Sequence, residues 1–78
     1  MNVSTEDILK IPAGALRFFP CEDGKKLRSA RSLVSIIKNE TGMPDGVVDY
    51  ETRKEELETG LHIVIHAMRE GDEPILNL

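Results

Sequence analysis

The stretch that decides the fold is KKLRSARSLVSIIKNE, residues 25–40. Its apolar residues recur at helical spacing, and at about 100° per residue they fall on one half of a helical wheel. These positions are Leu27, Ala30, Leu33, Val34, Ile36 and Ile37. Asp23 is a candidate N-cap, and Gly42, with Pro44 two residues later, is typical of a helix stop. The pattern predicts an amphipathic helix that buries its apolar half against a sheet.

The segments on either side of this helix carry strand patterns. Residues 15–19 predict a short strand that Pro20 stops, and residues 47–52 alternate as a half-exposed strand. Residues 61–68 alternate as a better-buried strand, and Gly60 favours a hairpin turn before it. Residues 53–59 fit either the hairpin or a single helical turn, because Thr52 and Glu55 have the spacing of a capping box.

The two ends of the chain are less strongly patterned. Ser4 and Asp7 have a capping-box-like spacing, which favours a helical turn through Lys10, although residues 8–11 could equally form a short strand. We expect residues 1–70 to form one small domain and residues 71–78 a flexible tail, whose Ile75, Leu76 and Leu78 could dock on a neighbour. The predicted fold is α+β, a strand–helix–strand–strand domain with one amphipathic helix packed on a mainly antiparallel sheet.

Length and composition exclude several classes of protein. A chain of 78 residues buries only about 60% of its unfolded surface, and a two-domain enzyme with a cofactor fold does not fit within it. The longest uncharged apolar run, residues 61–68, is far shorter than the roughly 20 residues of a membrane-spanning helix. Residues 1–7 do not resemble a signal peptide. Because a lone cysteine cannot form an internal disulfide, we expect a reducing, cytoplasmic location. The shortness of the apolar runs predicts no membrane contact.

No catalytic or metal-binding motif stands out. Cys21 is the only thiol, and Glu22 and Asp23 beside it oppose its ionisation. On a strand, His62 and His66 would lie about 13 Å apart, too far to share a zinc ion whose bonds to nitrogen are about 2.0 Å. We therefore interpret both histidines as residues on the more polar face of a sheet. The sequence predicts no enzyme activity, no cofactor and no metal.

The charge is distributed unevenly along the chain. The net charge is −4, yet residues 17–31 carry a net +3, residues 40–58 a net −5, and the tail three further acids. Such blocks act over about 8 Å at physiological salt, so each can attract a different partner. We interpret the acidic segment, residues 40–58, as solvated charge.

One face of the predicted helix is basic. Opposite its apolar half lie Lys25, Arg28, Arg31, Ser32, Ser35, Lys38 and Asn39, with no carboxylate before Glu40. These side chains suit DNA or RNA phosphates and base edges, which predicts a nucleic-acid-binding regulatory protein. The alternative is a protein-interaction module or accessory subunit that binds an acidic partner. A third interpretation is a solvated face whose cations pair with residues 51–58 of the same chain.

A homodimer is a separate expectation. The core of so short a chain is marginal, and a predicted edge strand near Val47 offers unpaired backbone groups to a second copy.

Overall fold

The computed structural model describes residues 3–76. Helix α1 (Thr5–Leu9) precedes strand β1 (Leu16–Pro20), and helix α2 (Gly24–Ile36) continues into one π-helical turn (Ile37–Thr41). Strands β2 (Asp49–Leu57) and β3 (Gly60–Met68) follow. The strands form one antiparallel sheet in the order β1-β3-β2, so the prediction of a small α+β domain is confirmed.

Helix α2 begins and ends where the sequence predicts. The Asp23 carboxylate accepts a hydrogen bond from the backbone N–H of Lys26 at 2.9 Å, and Gly42 ends the helical region with a φ of +89°. The buried face consists of Leu27, Ala30, Val34 and Ile37. The assignment of Ile36 to this face is wrong, because Ile36 is 42% exposed. It lies two residues, or about 200°, beyond Val34 and therefore points away from the sheet.

Helix α1 forms at the N-terminal end in preference to the alternative short strand. The Ser4 hydroxyl accepts from the N–H of Asp7, and the Asp7 carboxylate accepts from the N–H of Ser4, so the capping box is complete. Ile8 and Ile11 are buried in the same cluster as the apolar face of α2. The short helix thereby extends the layer that covers the sheet.

Strands β2 and β3 form a long hairpin. Residues 53–57 belong to β2, and the register runs from Asp49 opposite Met68 to Leu57 opposite Gly60. The alternative of a helical turn over 53–59 is therefore wrong. A capping-box spacing stabilises a local turn, whereas pairing with β3 gives this segment backbone partners along its length.

The two faces of the sheet are covered by different parts of the chain. On the α2 side, Ile63, Ile65 and Ala67 are completely buried. On the opposite side, His66 is also buried, and the C-terminal segment lies beside it, since the N–H groups of Ile75 and Leu76 hydrogen-bond to a side chain of β2. Part of the predicted tail thus contacts the sheet, whereas the predicted docking residue Leu78 lies outside the described residues.

Candidate nucleic-acid or partner interface

The outer face of α2 carries the residues that the sequence analysis singled out. All seven are exposed: Lys25, Arg28, Arg31, Ser32, Ser35, Lys38 and Asn39. The acidic N-cap Asp23 lies before this face, and the first carboxylate within the helical region is Glu40. The helix presents to solvent a surface of cations, hydroxyls and one amide, because its apolar positions all lie on the other side except Ile36.

Lys25, Arg28 and Arg31 have free cationic groups. No ion pair within residues 3–76 involves any of these side chains. The interpretation in which the basic face is neutralised by residues 51–58 therefore fails for these three residues. Because they retain their full hydration and charge, they can exchange water for an anionic partner without breaking an internal contact.

Lys38 and Asn39 are tied to the rest of the protein. The Lys38 ammonium lies 2.9 Å from an Asp49 carboxylate oxygen and donates to the Tyr50 carbonyl at 3.2 Å, which joins the end of the helix to β2. The hydrogen bond from Lys38 holds the pKa of Asp49 below its ordinary value. Asn39 donates to the Ser35 hydroxyl at 3.3 Å. The free cations are thus concentrated in the first half of α2.

The geometry of the helix places the exposed polar side chains of α2 in a defined arrangement. Lys25, Arg28 and Ser32 follow one another at spacings of three and four residues, so they form a stripe along the side of α2 that faces away from the sheet. Arg31 lies about 60° from Arg28 around the helix axis, on the same flank as Lys38. A stripe of this kind matches the repeated negative charges of a nucleic-acid backbone or an acidic protein surface.

The acidic segment is not uniformly solvated, and Glu51 is the exception. Its side chain is only 4% exposed, and one carboxylate oxygen accepts hydrogen bonds from His66 Nδ1 at 2.7 Å, from Ile75 N at 2.8 Å and from Leu76 N at 3.2 Å. The other carboxylate oxygen is buried and has no hydrogen-bond partner among the residues that the structure describes. Burial raises the pKa of Glu51, but the hydrogen bonds from Ile75, His66 and Leu76 bring the pKa below its ordinary value.

Sequence reasoning missed this buried pair. The available signal was His66 itself, a polar residue near the middle of an otherwise apolar strand, since a buried polar group requires a partner. The position of that partner depends on the register of β2 against β3, which places Glu51 directly opposite His66. The pair fixes the C-terminal segment onto the sheet, and no nucleophilic side chain hydrogen-bonds to it within residues 3–76.

The remaining chemistry-bearing residues have structural surroundings. Cys21 is buried, and burial raises the pKa of its thiol, which disfavours the reactive thiolate. His62 Nδ1 lies 2.9 Å from the Gly60 carbonyl, and since a carbonyl can only accept, this nitrogen carries the proton. Residues 3–76 contain no group of three or more histidine, cysteine, aspartate or glutamate side chains placed to hold a metal ion.

No family model, no curated protein and no solved structure matches this chain. Within the described part of the chain, no helix is both long enough and apolar enough to cross a membrane. The fold and the site define a small α+β domain with an exposed basic helix.

Proposed function

We propose that this chain is a small, non-enzymatic nucleic-acid-binding regulatory protein whose contact surface is the outer face of α2. The observation that carries the proposal is the exposed stripe on which Lys25, Arg28 and Arg31 have no ion-pair partner within residues 3–76. Surface helices ordinarily mix both signs of charge, because Glu–Lys pairs at i, i+4 stabilise them. A face without a carboxylate over residues 25–39 forgoes that stabilisation and attracts an anion instead.

Each type of side chain on the outer face of α2 would make a different kind of contact with the nucleic acid. Arg28 and Arg31 would contact phosphates, since a guanidinium can donate two parallel hydrogen bonds to phosphate oxygens. Ser32 and Ser35 would add hydrogen bonds to the backbone or to base edges. The acidic side chains of the β2–β3 hairpin would be repelled by phosphate, so they favour orientations in which only α2 faces the nucleic acid. A net charge of −4 also weakens non-specific attachment elsewhere on the surface.

The test is a salt-dependent binding measurement. Fluorescence anisotropy of labelled duplex DNA, duplex RNA and single-stranded RNA would be followed at about 50 and 200 mM salt. If three phosphates are neutralised, the affinity for duplex DNA should fall about 40-fold across that interval, and the affinity for a single strand about 20-fold. The double variant Arg28→Glu with Arg31→Glu should bind no nucleic acid while its circular dichroism spectrum is unchanged.

A matched control separates the site from the total charge. Lys10→Glu with Arg17→Glu makes the same change in net charge at two exposed positions outside both α2 and β2, so it should retain most of the affinity. Equal losses in both double variants would contradict α2 as the site, and no binding at 50 mM salt would refute the function. Salt-sensitive binding of polyglutamate but not of nucleic acid would favour the alternative, a protein-interaction module. The cytoplasmic location remains an expectation that rests on the single cysteine.

A further inference from the structure

Strand β2 is an edge strand with unsatisfied backbone groups. Cys21 and Ala15 of the β1 segment hydrogen-bond to Leu61 and Ala67 of the β3 segment, so the odd-numbered residues of β3 face β1. The even-numbered residues of β3 therefore face β2, and the register makes their partners the odd-numbered residues of β2. It follows that the N–H and C=O groups of Thr52, Lys54 and Glu56 point away from the sheet.

Only the first outward-facing residue of β2 has its backbone satisfied locally. The N–H of Tyr50 donates to the Asp49 carboxylate at 2.9 Å, and its C=O accepts from Lys38. The backbone groups of Thr52, Lys54 and Glu56 have no side-chain partner anywhere in residues 3–76. Lys54 and Glu56 are also exposed, so α2 leaves this half of the strand uncovered. The free edge is accessible to another strand.

The opposite edge of the sheet offers fewer free backbone groups. The outward-facing positions of β1 are Leu16, Phe18 and Pro20, and proline has no N–H to donate. The Leu16 carbonyl already accepts a hydrogen bond from the Arg17 guanidinium at 2.9 Å. A second strand would therefore find a donor only at Leu16 and Phe18. Of the two edges, β2 offers the longer run of free backbone groups to another strand.

The charge order of β2 specifies what kind of strand fits. Residues 53–56 read Arg-Lys-Glu-Glu, two cations followed by two acids. A copy of the same strand running antiparallel places its acids beside these cations, whereas a parallel copy in register places like charges together. The edge is thus electrostatically complementary to itself in the antiparallel orientation.

The pleat restricts the register of such a pair. Outward-facing residues must meet outward-facing residues, so a two-fold axis passes through a residue and never between two. With the axis at Lys54, Arg53 lies opposite the partner's Glu55 in a closely spaced pair, and Thr52 lies opposite the partner's Glu56. Lys54 itself lies opposite the partner's Lys54 in a hydrogen-bonded pair, which is the wider of the two pair spacings. With the axis at Glu55, that residue would meet the partner's Glu55 in a closely spaced pair, and fewer residues would overlap. Each register brings one pair of like charges together. The first register is favoured because its like-charged pair has the wider spacing and because more residues of the two strands overlap.

We propose that β2 pairs antiparallel with β2 of a second copy about Lys54, which joins two sheets into one of six strands. On the face opposite α2, Arg53 already lies 3.2 Å from Glu55 of its own chain. In the dimer, Arg53 and Glu55 of the two copies would form a group of four side chains in which each charge has opposite charges as its neighbours. The two-fold axis is perpendicular to the sheet, and both α2 helices lie on the same side of the dimer. The inference stands without the nucleic-acid proposal, although it would give that proposal two basic faces on one surface.

The test uses charge reversal measured by sedimentation equilibrium without nucleic acid. The wild-type chain should dimerise. Arg53→Glu and Glu55→Arg each turn two attractive cross-strand pairs into repulsive ones, which should raise the dimer Kd about 30-fold. The double swap Arg53→Glu with Glu55→Arg should restore dimerisation, and an equimolar mixture of the two single variants should form a heterodimer. Lys10→Glu, an equal change in charge on α1's exposed C-cap, should leave the Kd unchanged.

Several results would overturn the inference. A wild-type chain that stays monomeric up to about 1 mM protein excludes the dimer. If the double swap weakens association as much as the two single variants do, the Arg53–Glu55 cross-strand pairing is excluded. An Arg53→Glu variant that dimerises as well as the wild type would also exclude this pairing. Circular dichroism of every variant confirms that the fold is intact, and loss of nucleic-acid binding in a chain that still dimerises would count against the proposed function alone.

Discussion

Replacement of Glu51 by alanine should remove a large part of the stability of this protein. The substitution leaves the buried His66 side chain without its partner and deprives the N–H groups of Ile75 and Leu76 of their acceptor. A buried donor that loses its acceptor costs about 1–3 kcal/mol, so the loss of one acceptor shared by three donors costs several kcal/mol. Counting the groups gives a similar figure, about 2 kcal/mol for buried His66 and about 1 kcal/mol for each N–H near the surface.

The loss caused by Glu51→Ala is large in proportion, because the total unfolding free energy of so small a domain is low. A domain of 78 residues has an unfolding free energy of about 4–12 kcal/mol, so a loss of about 4 kcal/mol removes a third or more. The assay is urea denaturation followed by far-ultraviolet circular dichroism at pH 7. Glu55→Ala is the matched control, because Glu55 lies on the same strand and the same face but forms only a partly exposed ion pair with Arg53. Its loss should be below about 1 kcal/mol.

The pH dependence of the Glu51→Ala effect provides an independent check. Because the pKa of Glu51 is lowered in the folded protein, its ionised form contributes stability that is complete above the unfolded-state pKa and is lost as pH falls through the folded-state pKa. The difference in unfolding free energy between the wild type and the variant should therefore narrow between pH 7 and pH 3. A difference of the same size at both pH values, or equal losses for Glu51→Ala and Glu55→Ala at pH 7, would refute this account.

Three further predictions concern single residues. Asp23→Ala removes the acceptor for the Lys26 N–H and should lower the unfolding free energy by about 1 kcal/mol in urea denaturation; an unchanged midpoint would contradict its role as the cap of α2. Cys21 should react with a thiol reagent much more slowly in the native protein than in urea, since burial raises the pKa of the thiol; equal rates would show an accessible thiolate. Gly42→Ala should cost about 2 kcal/mol by thermal denaturation, because φ is +89° and ψ is 141°, although an added Cβ meets no atom within 4 Å; a variant as stable as the wild type would rule out this strain.

The basic helix could be read from the sequence because its signals are local. The 3.6-residue period places Leu27, Ala30 and Val34 on one face, and the cap at Asp23 and the stop at Gly42 fix the ends within a residue or two. The exposure of Arg28 and Arg31 follows from the same period. The sequence did not predict whether these cations form ion pairs, because that depends on which strand lies next to the helix.

Part of the sheet could also be predicted from the sequence, because some of its signals are local. Alternation predicted the two faces of β3, and a turn residue at Gly60 predicted the hairpin. The extension of β2 through Leu57 was ambiguous, since a capping-box spacing and a strand pattern overlap over residues 52–57 and only the pairing with β3 decides between them. Local propensity is a weak guide where a neighbouring strand supplies the hydrogen bonds.

The sequence by itself determined the amphipathic helix, its basic outer face and the alternation of β3, because each depends on the period of side chains along one segment. Only the tertiary structure decided that Glu51 is buried against His66 and that β2 is the accessible edge. The buried Glu51 carboxylate accepts hydrogen bonds from residues 15 and 24 positions away in the chain. The strand order β1-β3-β2 depends on how the whole chain is connected in space. Such contacts join residues that are far apart in the chain, so no local pattern encodes them.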